Sequence, residues 1–328
     1  MIILQLKSAH AETALSDIGN IFSYIKNNYG YKIRGHEIHQ SRDDLERLTM
    51  GERASLVSTF CSKYDIEFIT FHVPILRNVN IVDKLFFEKA NDSILATIRE
   101  AEIIHTECGF RNKAIIVYHL PSVIGIEEIS YLNKELKYRI LENAEGYLID
   151  FYQRNSGYFD SFATLTIENV FPRYFTDGDN YYATVSMFHP LEMIRLRKYG
   201  IKVTFDISHY NIYSKYLLYG RGNRVGDVER QIYGAIAPSW NECIDLFGDS
   251  LVQLHISDSL GANTTGEGLM LAEGEIPIIS ILWYIVHDAN EERQIQGTIE
   301  LEGGHLHNSK PQRKAVEWLL VNTDGIFR

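Results

Sequence analysis

Six acids and imidazoles occupy equivalent places along this chain. His72, His119, Glu168, Asp206, His255 and Glu300 each sit in a short run rich in β-branched and aromatic residues, close to where that run gives way to polar sequence. The runs are EFITFHVP, KAIIVYHLP, ATLTIENV, KVTFDISH, LVQLHISD and GTIELEGG. A single buried His or Glu is more often a hydrogen-bonded core residue than a ligand. Six on six consecutive runs are another matter: three carboxylates and three imidazoles gathered in one low-dielectric place would pay heavily without a cation. Mixed oxygen and nitrogen donors suit Zn²⁺, Mn²⁺ or a similar divalent ion.

Side chains alternate along a strand, so Thr166 shares a face with Glu168, Thr204 with Asp206, Gln253 with His255 and Thr298 with Glu300. Small polar residues below and an acid or imidazole above are expected of an inward-facing site. His209, three residues past Asp206, is a candidate to bind substrate or to act as a ligand. Asp258 stands in the same relation to His255, either binding substrate or orienting a neighbour. Glu37, in RGHEIH, is as compatible with a structural role as with the rim. Glu302 shares the face of Glu300 and competes with it for the eighth-strand role. His36, His39, His105, His189, His287, His305 and His307 lack comparable context.

The elements that must position these groups repeat. Two further runs, IILQLKS at 2–8 and KIRGHEIH at 32–39, bring the strand candidates to eight, and segments with helical periodicity separate them. Residues 83–107 read as a helix ending at Cys108-Gly109, 125–153 as another, and Ser309-Lys310-Pro311 opens a last one. Alternating β and α units predict parallel strands with crossover helices, and eight of them predict a single (β/α)8 TIM barrel over 1–328. In such a barrel the carboxyl ends of all strands meet at one face, where the chemistry sits. The stretch 210–248 after the sixth strand reads as a long insertion on that face. Its Tyr210, Tyr213, Tyr216, Tyr219, Arg221 and Arg224 are expected to shape substrate choice, the two arginines as binding groups.

Composition narrows the partners. The chain has 328 residues, and 32 Lys and Arg against 43 Asp and Glu give a net charge of −11, which disfavours nucleic acid without a local basic groove. Cys61, Cys108 and Cys243 form no CxxC, so neither a disulfide framework nor a thiolate zinc site is expected. No apolar run approaches the roughly 20 residues of a membrane span, and the start shows no signal-peptide pattern. The expectation is a cytoplasmic protein with no membrane partner; a homo-oligomer is compatible with this composition.

With these pieces in order, the chain resembles the xylose-isomerase-like barrel superfamily, which includes sugar isomerases and epimerases and endonuclease IV. GHEIH, ITFHVP, IIVYHL, LTIENV, VTFDISH, LHISDS, LAEGEIP and TIELE carry the resemblance. It implies that Glu168, Asp206, His255 and Glu300 ligate a divalent metal, and that His72 and His119 with a bridging Glu168 hold a second, as in endonuclease IV. Two ligands of that enzyme's third zinc are missing, their places taken by Gly266 and Gly268, which leaves His209 as a substrate contact. The arginine that commonly follows the seventh-strand His in ketose epimerases is absent as well. The implied function is a metal-dependent sugar isomerase or epimerase in which Glu168 and Glu300 exchange protons with a small sugar-like substrate. The alternative is an endonuclease IV-like phosphodiester hydrolase, and a barrel that binds a ligand without turnover is a third reading.

Overall fold

The structure, a computed structural model, describes residues 1–74, 84–120, 123–177, 180–219, 223–261, 267–287, 294–301, 309–323 and 325–327. Among these residues the strands are, in chain order, β1 (Ile2–Ser8), β2 (Gly35–His39), β3 (Phe68–His72), β4 (Ala114–Tyr118), β5 (Val123–Gly125), β6 (Ala163–Glu168), β7 (Tyr174–Asp177), β8 (Asn180–Thr184), β9 (Lys202–Asp206), β10 (Leu251–Ile256) and β11 (Ile295–Ile299). Eight of them close a barrel in the order β1-β2-β3-β4-β6-β9-β10-β11, with every neighbouring pair parallel. The eight expected runs supply those eight strands.

Each strand is buried on both faces, because helices cover the outside and side chains fill the lumen. Outward residues such as Leu4, Leu6, Leu165 and Leu254 join the apolar layer beneath the helices. Inward residues form a polar floor: Thr166 and Thr204 hydroxyls meet at 2.7 Å, Gln253 Nε2 donates to Thr298 Oγ1 at 3.1 Å, and Thr70 Oγ1 donates to Gln5 Oε1 at 3.2 Å. This is the small polar layer that the alternation predicted, and it supports the residues one pleat higher.

Two expected helices appear as Lys84–Cys108 and Ser309–Asn322, while the stretch expected as one helix over 125–153 is broken, a short helix Ile126–Ile129 preceding Lys134–Arg154, which Asn133 caps. The first ends at Gly109 with φ +61°, a left-handed position that glycine adopts without a Cβ penalty. Between β9 and β10 the described residues form helices Ile207–Tyr219, Arg224–Tyr233 and Trp240–Phe247. No helix among the described residues is long and apolar enough to cross a membrane.

One feature was not expected. A second, antiparallel sheet in the order β5-β8-β7 sits outside the barrel. Its strands are three to five residues long, too short for a periodicity signal. The Asp177-Gly178 pair between two aromatic-rich runs was the one local hint of a hairpin.

Candidate metal centre

The carboxyl ends of the barrel strands deliver the six strand-end residues to one place. In-register pairing puts Asp206 directly beside His255, and Glu168 beside Thr204. Glu300 follows β11 by one residue. His255 Nδ1 stands 2.7 Å from Glu300 Oε2, 3.2 Å from Glu168 Oε1 and 3.8 Å from Asp206 Oδ2. The four residues Glu168, Asp206, His255 and Glu300 offer ligand atoms all within 4.8 Å of one another. On the other side of Glu168, Oε2 lies 2.8 Å from His119 Nε2 and 3.2 Å from His72 Nε2. His72, His119 and Glu168 thus form a second group of the same tightness.

These donors fit a cation. His255 Nδ1, Glu168 Oε1 and Glu300 Oε2 are buried and have no hydrogen-bond partner, although they face one another. Buried polar atoms are nearly always satisfied, so three orphans converging on one point mark where a positive ligand belongs. The far side of the imidazole agrees. His255 Nε2 is 3.2 Å from Glu37 Oε2, and that oxygen also accepts from Gln253 Nε2 at 2.6 Å and Thr298 Oγ1 at 2.7 Å. Without a cation, burial opposes the His255 imidazolium, but Glu300, Glu168 and Glu37 together hold it well above its usual range. With a proton kept on Nε2 by Glu37, loss of the Nδ1 proton would free that nitrogen for a cation. Glu37 is fully buried; it is a positioning residue behind His255, not part of the rim.

The charge states follow from burial against pairing. Burial by itself would raise the Glu168 carboxyl, but His119 and His255 outweigh it and hold it well below the usual carboxylate range. His209 is governed similarly: burial opposes its imidazolium, while Asp206 and Glu267 push it up to about 10. Its Nδ1 lies 2.8 Å from the Asn169 carbonyl and its Nε2 2.9 Å from Glu267 Oε1. Asn169 also clamps the ends of β6 and β9, donating to the Asp206 carbonyl at 2.9 Å and accepting from Asp206 N–H at 2.7 Å.

Two expected substrate contacts have partners within the chain. Asp258 accepts backbone N–H groups from Ser259, Ile276 and Ala272 at 2.9, 3.0 and 3.1 Å, so both its oxygens are spent shaping the loop after β10. A Cβ at Gly274 would stand 2.3 Å from Asp258 Oδ1, which explains the glycine there. Arg224 donates its Nε to the Leu132 carbonyl at 2.6 Å and ties the helix Arg224–Tyr233 to the segment before Lys134. Arg221, Glu302, Gly266, His305 and His307 lie outside the described residues.

Three residues at the centre escaped the sequence reading. They are Lys7, Asn169 and Glu267. Lys7 Nζ lies 2.5 Å from Glu300 Oε1 and 3.1 Å from Glu37 Oε1, with 1% of its side chain exposed. Its alternation with Gln5 on β1 was the available signal; a lysine in a strand reads as a solvent-facing residue unless the strand is known to be covered on both faces.

No family model and no curated protein matches the sequence. Solved structures do match in shape. A xylose isomerase-like TIM barrel/4-hydroxyphenylpyruvate dioxygenase fusion protein aligns with 97% of this chain and 42% of its own, at 12% identity and a TM-score of 0.57. The chain has the xylose isomerase-like barrel fold. D-psicose 3-epimerase from Clostridium cellulolyticum H10, solved with D-tagatose, aligns over 98% of this chain and 99% of its own, at 9% identity and a TM-score of 0.56. IOLI protein with a bound zinc atom aligns over 98% and 99%, at 11% identity and a TM-score of 0.54. A sugar epimerase and a zinc-bound protein therefore share this barrel's architecture.

Proposed function

We propose that this protein is a divalent-metal-dependent isomerase or epimerase acting on a sugar or related polyol. The observation that carries this reading is the convergence of Glu168, Asp206, His255 and Glu300 within 4.8 Å at the carboxyl face of the barrel. The sugar epimerase and zinc-bound neighbours of the same fold support it. Those four residues would hold the ion, which would polarise a substrate carbonyl and the adjacent hydroxyl and so acidify the C–H between them. Glu168 and Glu300 approach from different strands and serve as proton acceptor and donor at that carbon. His209, fixed at Nδ1 by the Asn169 carbonyl and paired at Nε2 with Glu267, would meet a substrate oxygen together with that carboxylate.

A second reading has one observation in its favour. The His72–His119–Glu168 group would hold a second ion beside the first, as two-metal hydrolysis of a phosphodiester requires. The net charge of −11 counts against a polyanionic substrate, and so does Glu267, which sets a carboxylate on His209. The deciding experiment is metal stoichiometry by elemental analysis, paired with incubation of the loaded protein with duplex DNA containing an abasic site. One ion per chain and uncut DNA are expected. Two ions with metal-dependent cleavage would overturn the isomerase reading.

Proton competition provides a second check. Burial pushes the Asp206 carboxyl up to about 6, with His209 opposing and Glu168 and Glu300 adding to the rise. A ligand must be deprotonated to bind a cation, so zinc affinity is expected to fall as the pH drops through that value. A competing chelator dye, titrated at about pH 5 and about pH 7.5, reads the change. Equal affinity at the two would remove Asp206 from the ligand set.

A further inference from the structure

The centre contains a cation of its own. Lys7 ends the inward face of β1, and its ammonium sits between Glu300 Oε1 at 2.5 Å and Glu37 Oε1 at 3.1 Å, all but sealed from solvent. Those two carboxylates have different duties. Glu300 belongs to the four-residue group facing His255 Nδ1, and Glu37 holds the far nitrogen of the same imidazole. The ammonium therefore touches the ligand set from behind at one point and its support at another. Glu37 would otherwise stand fully buried, and Glu300 partly so, with incomplete compensation.

We propose that Lys7 is a built-in counter-cation that keeps Glu300 and Glu37 assembled when the metal is absent and lowers the affinity of the centre for that metal. The proposal rests on the reading of the four-residue group as a metal site. Its physical basis is charge. Glu37, Glu168, Asp206 and Glu300 supply four negative charges, beside which the His209–Glu267 pair is neutral as a unit; a divalent ion cancels two, and Lys7 cancels one more. Removing a fixed positive charge a few ångströms from a cation site strengthens cation binding, and at an effective dielectric of about 20 one such charge is worth at least about tenfold in affinity. A residue that merely braced the ligands would do the opposite, because its loss would loosen Glu300 and weaken the metal.

The direction of the change is thus the test. Wild type and Lys7→Met, an unbranched side chain of similar reach without the charge, are stripped with chelator and titrated with zinc against a competing dye. Thermal midpoints of the stripped and loaded forms are measured alongside. Lys7→Met is expected to bind zinc at least about tenfold more tightly. Its stripped form is expected to melt well below stripped wild type, and its loaded form close to loaded wild type. Lys7→Gln, which retains hydrogen bonds to both carboxylates, is expected to show the same tightening and serves if the methionine variant does not fold. If wild type takes up zinc and neither variant binds it more tightly, the proposal is overturned while the metal site stands. If wild type takes up no zinc, the metal reading falls and the proposal with it.

Discussion

Replacing Glu168 with Gln is expected to cost at least about 10²–10⁴-fold in turnover, the usual worth of a general acid–base group, together with tight metal binding. The geometry explains why one substitution does both. Glu168 Oε1 faces His255 Nδ1 at 3.2 Å and His209 Nδ1 at 3.4 Å, while Oε2 faces His119 at 2.8 Å and His72 at 3.2 Å. Four imidazoles thus lean on one buried carboxylate, which belongs to both groups of ligand atoms. Glutamine keeps the shape but exchanges an anion for a dipole, so the proton acceptor and the shared ligand charge vanish together. Exchange of the substrate C–H with solvent deuterium, followed by NMR over a panel of ketohexoses, reports the proton step. Zinc content of the same sample reports the ligand step. Glu300→Gln is expected to behave alike, and Glu302→Gln is the mild control. Retained exchange in Glu168→Gln would remove Glu168 from the proton-transfer role.

The second large effect is on stability. Lys137 on the helix Lys134–Arg154 is fully buried, as are Glu192 and Glu229, to which it is paired. Tyr213 OH donates to Glu229 Oε2 at 2.9 Å and Tyr233 OH to Glu192 Oε1 at 3.0 Å; Glu192 Oε2 accepts the Phe188 N–H at 3.1 Å. The Lys137 ammonium also lies over the rings of Phe188 and Tyr233, at 5.4 and 5.2 Å. This cluster fastens the helices Ile207–Tyr219 and Arg224–Tyr233 and the segment after β8 to one outer helix of the barrel. Lys137→Met would leave two carboxylates buried around an apolar chain. Breaking a buried charge group by removing one partner costs about 3–5 kcal/mol. Urea unfolding of wild type and variant is expected to show a loss of that size. Lys137→Met combined with Glu192→Gln and Glu229→Gln is expected to recover part of it, because no uncompensated charge remains. An unchanged midpoint in the single variant would mean that the cluster is hydrated and does not clamp the helices.

Much of the barrel was legible because its signals are local. A strand run of five to seven residues, its turn and the following helix are read within one window, and the eightfold recurrence then leaves few architectures to choose from. The same period-2 alternation placed Thr166 beneath Glu168 and Gln253 beneath His255 before any contact was known. Asp258 and Arg224 show where such reading stops. A carboxylate three residues after a histidine and an arginine on a catalytic-face segment are suggestive in one dimension. The Asp258 oxygens and the Arg224 Nε go to backbone groups such as those of Ile276 and Leu132, positions that no spacing rule connects to them.

The sequence by itself determined the eight β/α units, the closure they imply and the acids and imidazoles at the strand ends, because each depends on alternation and neighbours a few residues apart. Only the tertiary structure decided how that centre is balanced. Lys7 meets Glu300 across 293 residues of chain, and Glu37 meets His255 across 218. Barrel closure is what makes β1 the neighbour of β11, and it is closure that turns a strand lysine from a solvent-facing charge into a buried counter-cation. The second sheet belongs to the same class, since its three short strands become a sheet only by pairing with one another across the loops that separate them.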